Sequence, residues 1–183
     1  MILQSDLFNA PADTDSDGSP DYITLTESDL FDTTNNRIVN GSDTERAAAS
    51  TALNNAKGWY IQLEGEYNST TAPGEKVLSR ALTLDGVLYF TTYLPSATVS
   101  ANCEPTAGVS KLYSVNLYDA SPLNNQTATT DRHTILDTVG LPPNPVHLRI
   151  SDGDGTSDLI SVGSEIFQHS VGDIITKTFW YSY

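Results

Sequence analysis

Asp13, Asp15, Asp17, Ser19 and Asp21 alternate along one short stretch, with Gly18 among them. Oxygen-bearing side chains at every second position, bent inward by a glycine, form the pattern that grips a hard cation. In a calcium loop of this type the ligands come from positions one, three, five, seven and nine, and the glycine at position six permits the sharp turn. On that pattern Asp13, Asp15, Asp17 and Asp21 supply carboxylate oxygens and Ser19 its backbone carbonyl. Without a cation the same carboxylates repel at close range, and the stretch is an exposed acidic turn. The expected ligand is Ca²⁺. The loop is not a helix-flanked EF-hand, because position twelve holds Thr24 where that motif has a bidentate glutamate. The residues after it, Asp21-Tyr22-Ile23-Thr24-Leu25-Thr26, alternate apolar and polar and predict a strand.

A shorter echo lies further on, at Ser151-Asp152-Gly153-Asp154-Gly155-Thr156-Ser157-Asp158. Aligned on the first loop, Asp152, Asp154 and Asp158 fall on liganding positions, but Ile150 takes position one and offers no side-chain oxygen. Asp-Gly turn chemistry between strands at about 145 to 151 and 158 to 162 accounts for the same residues without metal.

The elements that must carry these loops are mostly strands. One segment reads as helix, over about 43–57: Ser42 and Glu45 have capping-box spacing, alanines fill the middle, and Lys57 with Gly58 marks the stop. After it come Trp59 to Leu63, Glu75 to Leu84 and Val87 to Tyr93, the last two joined by Asp85-Gly86, a strong hairpin signal. Further strands are predicted at Lys111 to Leu117, His133 to Thr138, Val146 to Ile150, Leu159 to Val162 and Ile174 to Tyr181. Short strands with Gly, Pro and Asp turns fit a sandwich, a barrel or propeller blades. Leu141-Pro142-Pro143-Asn144-Pro145 stiffens one connection. The length fits one domain over 1–183.

Composition narrows the partners. Nine basic against 23 acidic residues give a net charge of −14, which repels phosphate backbones and anionic lipid surfaces, so nucleic acid is not an expected partner. No apolar run approaches the about 18 residues needed to span a bilayer, so membrane insertion is not expected either. Met1 to Asp6 lacks the charged and apolar regions of a secretion signal, which points to an intracellular chain or to a piece whose export signal lies elsewhere. Cys103 is the sole cysteine and can form neither an internal disulfide nor a thiolate cluster. The sequons at Asn40, Asn68 and Asn125 carry no assigned role.

Catalytic constellations are not legible. His133, His147 and His169 lie far apart with no metal-ligand spacing and read as surface or turn residues. Glu64, Glu66 and Glu75 could pair for glycoside chemistry but read more simply as solvated loop acids. An enzyme is not expected.

In order along the chain, Leu30-Phe31-Asp32-Thr33-Thr34-Asn35-Asn36, Lys57-Gly58-Trp59-Tyr60-Ile61, Gly74-Glu75-Lys76-Val77-Leu78-Ser79, Phe90-Thr91-Thr92-Tyr93 with Pro95, Cys103-Glu104-Pro105, Lys111-Leu112-Tyr113, Val162-Gly163-Ser164-Glu165 and Lys177-Thr178-Phe179-Trp180 form a set. Taken together, the set resembles the C-terminal region of the PilY family, secreted proteins associated with the tips of bacterial type IV pili. The resemblance implies a mainly β fold, with antiparallel sheets of a partial or modified β-propeller and one α-helix. It further implies a calcium loop, at Asp13, Asp15, Asp17, Ser19 and Asp21, that tunes pilus extension and retraction. The implied roles are pilus biogenesis, twitching motility and surface adhesion, at an extracellular pilus tip or bacterial surface. The implied partners are pilus proteins such as minor pilins, the remainder of a longer parent chain, or a host or surface ligand. The chain is far shorter than the family's members, with room for roughly two or three blades where a closed propeller takes about four to eight. Two other readings stay open. One is a quinoprotein-type propeller enzyme fragment. The other is a calcium-dependent carbohydrate-binding module using Trp59, Tyr60 and Tyr93, aromatic residues that equally suit a core.

Overall fold

The structure, a computed structural model, describes residues 2–3, 25–64, 74–96, 108–123, 129–138, 140–151 and 156–169. At its centre is the hairpin that Asp85-Gly86 predicts. Both turn residues have positive φ, 48° and 78°, as a tight two-residue turn requires. They join β5 (Leu82–Leu84) to β6 (Val87–Leu94). β6 then pairs antiparallel with β7 (Val109–Asn116), from Val87 opposite Asn116 to Leu94 opposite Val109. Gly108 leads into β7 so tightly that a Cβ there would lie 2.2 Å from the Leu94 carbonyl oxygen.

Every residue from Val87 to Thr92 is buried, because both faces of this pair are covered. On one face Leu88, Phe90, Tyr113 and Val115 pack with Leu53 and Trp59. The Phe90 and Tyr113 rings stack with centroids 4.8 Å apart, and the Trp59 indole N–H donates to the Leu117 carbonyl at 3.0 Å. On the other face Val87, Tyr89 and Leu112 pack with Leu136, Ile160 and Val162. A continuous apolar run in a strand is the expected outcome of such two-sided burial.

The central sheet is completed by β4 (Lys76–Val77), β5 and β8 (His133–Ile135) in the order β4-β6-β7-β8, with β5 also on β6. The single strand predicted over Glu75 to Leu84 is therefore split. Leu78 to Ala81 bulge out opposite only Phe90 and Thr91. Within the bulge the Ser79 hydroxyl accepts from the Thr91 N–H at 2.8 Å and donates to the Thr91 carbonyl at 3.3 Å, standing in for a ladder partner.

The layer over the first face holds β1 (Ile2–Leu3), β2 (Phe31–Asp32) and β3 (Gly58–Tyr60) in the order β1-β3-β2, with β2 parallel to β3. It also holds two α-helices where the sequence predicts one. α1 (Arg37–Asn40) is a single turn entered through Asn36 at φ 51°. α2 (Asp43–Asn55) carries the predicted capping box, with the Ser42 N–H donating to Glu45 Oε2 at 2.9 Å. It ends two residues early, because the Lys57 N–H turns away to donate to the Asp29 carbonyl at 2.8 Å, and Gly58 opens β3 instead of stopping the helix. Of the strand predicted over Asp21 to Thr26, the described end is not extended pairing. Asp29 takes the Thr26 N–H and hydroxyl at 2.8 and 2.7 Å, and Thr26 caps a 3-10 turn (Glu27–Asp29).

Over the second face lies a sheet in the order β11-β10-β9. β9 (Val146–Ser151) and β10 (Thr156–Val162) are the predicted hairpin strands; β11 (Glu165–Gln168) is an addition to them. The turn before it, Gly163-Ser164 with Gly163 at φ 62°, is a two-residue hairpin signal. The described residues are thus mainly β, with antiparallel sheets and two α-helices. Among the described residues, no helix is long and apolar enough to cross a membrane.

Candidate functional site

Asp13, Asp15, Asp17, Ser19 and Asp21 lie outside the described residues, as do Asp152, Asp154, Cys103, Glu66 and the strand predicted at Ile174 to Tyr181. Asp158 is described, on β10. Its Oδ1 lies 2.8 Å from His147 Nε2 and 3.9 Å from Arg149 Nε, so this carboxylate already has cationic or hydrogen-bonding company from the neighbouring strand.

Glu75 is not the solvated loop acid that its sequence context suggests. It precedes β4, and its carboxylate is wholly buried over the first face of the central sheet. The period of two along β7 puts Lys111, Tyr113 and Val115 on that same face, so Lys111 enters the interior and needs a counter-charge. Its side chain is 4% exposed, and its ammonium lies 3.3 Å from Glu75 Oε2 and 3.0 Å from Glu64 Oε2. Glu75 Oε2 also accepts from the Tyr113 hydroxyl at 3.4 Å and the Glu64 N–H at 3.2 Å, while the Thr92 hydroxyl donates to Oε1. The Glu75 N–H returns a bond to the Glu64 carbonyl at 2.7 Å. Glu64 itself stays 60% exposed, as a loop acid should. Burial, reinforced by Glu75, pushes the Tyr113 phenol upward. Burial, reinforced by Lys111, holds His133, whose ring lies 5.1 Å from that of Tyr113, below the usual imidazole range. This arrangement ties Glu64 and Glu75 to each other and to the central sheet. With the Lys111 and Glu75 side chains both buried, the cluster works as an ionic staple.

His169 also departs from its surface reading. Its side chain is 4% exposed, with Nδ1 2.7 Å from the Tyr89 hydroxyl and Nε2 3.3 Å from Asp85 Oδ2. This chain of contacts runs from the β5–β6 turn into the second core and pins the end of β11 there. Burial, then Asp85, raise Tyr89 from 10.0 to about 12. The folded chain therefore keeps a proton that the unfolded chain sheds, and the stability involved is whole below pH 10 and lost as the pH climbs through about 12. Melting temperatures between these limits are expected to fall with pH, and less steeply in Tyr89→Phe; identical slopes in the two proteins would refute the assignment.

The aromatic candidates separate in the same way. Trp59 is core, and the Tyr93 hydroxyl accepts from the Gly108 N–H at 3.1 Å. Tyr60 is half-buried and lines an open cleft of about 440 Å³ with Leu25, Glu27, Leu30 and Gln62. Its phenol is raised by burial, by the charge of Asp32 and by a hydrogen bond to Glu27. Among the described residues, no three His, Cys, Asp or Glu side chains are grouped to hold a metal. Lys111 is legible in the sequence as a charged residue at a core position of an alternating strand; its partner is not, because Glu75 comes from a distant loop. Comparison of the chain with family models, curated proteins and solved structures gave no match.

Proposed function

We propose that this chain is the calcium-binding C-terminal domain of a type IV pilus tip-associated protein of PilY type, acting in pilus biogenesis, extension and retraction, and surface adhesion. The observation that carries the reading is the spacing of Asp13, Asp15, Asp17, Ser19 and Asp21 around Gly18, which meets the liganding positions of a calcium loop. The way the downstream chain is anchored supports it. Beyond the loop, Asp29 is bonded to Lys57, and β2 pairs with β3, whose Trp59 is buried against the central sheet. Neutralising the loop with Ca²⁺ would therefore steady a segment that is rooted in the core. The three small sheets are read as part of a modified propeller, and the acidic composition suits an extracellular, calcium-containing setting. Partners on this reading are minor pilins or other parts of a longer parent chain.

Metal analysis of the purified protein, followed by melting in millimolar Ca²⁺ and in EDTA, tests the reading. Bound calcium and a higher melting temperature with Ca²⁺ are expected; equal melting temperatures would sink it. A second reading, a calcium-dependent carbohydrate binder, is favoured by one observation. Tyr60, with Glu27 and Gln62 beside it, opens on a cleft whose first lining residues, Leu25 and Thr26, come a few positions after the loop. Glycan-array binding that disappears in EDTA and in Tyr60→Ala would support this second reading.

A further inference from the structure

Alternation along β9, β10 and β11 sends Ile160, Val162 and Phe167 toward the central sheet and sends Val146, Leu148, Ile150, Leu159 and Ile166 outward. Serines and one glutamine complete the outward face, which holds no ionisable side chain although the chain carries −14 overall. Ile166 is 60% exposed, Val146 53% and Ile150 47%. An antiparallel sheet with one solvated face places polar residues outward. Apolar side chains on both faces are what β6 has, and β6 is covered on both sides.

The size of the face selects its occupant. Six residues of β9 at about 3.4 Å each, across three strands about 4.8 Å apart, make a patch of roughly 290 Å². That is well short of the about 800 Å² per partner that a stable association of two folded copies buries, but it suits one extended segment. Residues 170–183 come directly after His169, and His169 is fixed at the margin of this sheet. Its N–H donates to the Asp158 carbonyl at 3.0 Å, and its ring is held by Tyr89 and Asp85. Within that segment Ile174, Ile175, Phe179, Trp180 and Tyr181 accompany a single charge, Lys177, over 174–181, and eight residues reach at most about 27 Å, enough for the length of the face.

We propose that residues 174–181 pack as an extended strand across the outward face of β9, β10 and β11. The tether at His169 keeps the local concentration of the segment high, and the proposal stands apart from the calcium reading. Hydrogen exchange of the full chain, read by mass spectrometry at several protein concentrations, tests it. Amides of 174–181 are expected to exchange at least about tenfold more slowly than free peptide. They should return to the free rate in Ile166→Lys and in Val146→Lys, while β6 and β7 stay protected in both. Two exposed positions are used so that a folding defect in one leaves the other as the measurement. Free-peptide rates in the parent chain, or slowing that survives both substitutions, overturns the proposal. Slowing that grows with protein concentration assigns the face to a second copy and overturns it equally.

Discussion

Glu75→Ala is expected to lower the unfolding free energy by about 3–5 kcal/mol, the cost of stranding one charge of a buried pair. For a domain of this length that corresponds to roughly 6–20 °C in melting temperature. Lys111, whose side chain is 4% exposed, would keep only Glu64 as counter-charge, and the Glu64 side chain is 60% exposed. The Tyr113 and Thr92 hydroxyls and the Glu64 N–H would lose their acceptor as well. Two controls separate this from general damage. Glu64→Gln removes the exposed member and should cost no more than about 1 kcal/mol. Combining Glu75→Leu with Lys111→Met removes both buried charges and should recover most of the loss, since apolar replacement of a whole buried pair is often neutral. Thermal melts by circular dichroism read all four proteins. A melting temperature for Glu75→Ala within measurement error of the parent would show that the cluster is not a staple.

Asp17→Ala is expected to abolish the stabilisation by calcium while leaving the calcium-free protein nearly unchanged. An ion bound only by the folded state adds RT ln(1 + [L]/Kd), about 2.7 kcal/mol at a hundredfold excess over Kd, or roughly 5–11 °C here. Asp17 would sit in the middle of the ligand set, and its loss also relieves repulsion in the empty loop. The sign of the effect therefore differs between the two conditions: a clear drop with Ca²⁺, and no drop or a slight gain in EDTA. A variant that keeps the full calcium response would remove Asp17 from the ligand set. On the proposed pilus reading, the same substitution in a host that carries the pilus should change the twitching zone.

The parts of this fold that are legible in the sequence are those written in local chemistry. Asp85-Gly86 specifies its turn, Ser42 with Glu45 the start of α2, and the apolar runs at Val87 and Lys111 the two central strands. The parts that escape a sequence reading depend on distant partners. The run from Glu75 to Leu84 alternates well enough for one strand, but the bulge at Ser79 is set by its bonds to Thr91. Gly58 resembles a helix stop, yet the bond from Lys57 to Asp29 makes it strand. Glu75 and His169 look like surface residues because polarity is a property of the residue, whereas burial is a property of its neighbours. Lys111, Tyr89 and Asp85 supply those neighbours from far along the chain. The proposed calcium loop is the opposite case, since local spacing alone points to it.

The two-sided cover of β6 and β7 also bears on how the chain is made. During synthesis the residues that shield Leu88 and Phe90, including Leu53 and Trp59, emerge first. Those that shield Val87, Tyr89 and Leu112 on the reverse, Ile160 and Val162, arrive well after β7 has emerged. A nascent chain halted between these points would hold an oily β-ribbon bare on one side, a species prone to clump. Ribosome-stalled products ending before Thr156 should accordingly bind holding chaperones far more strongly than products extending past Gln168.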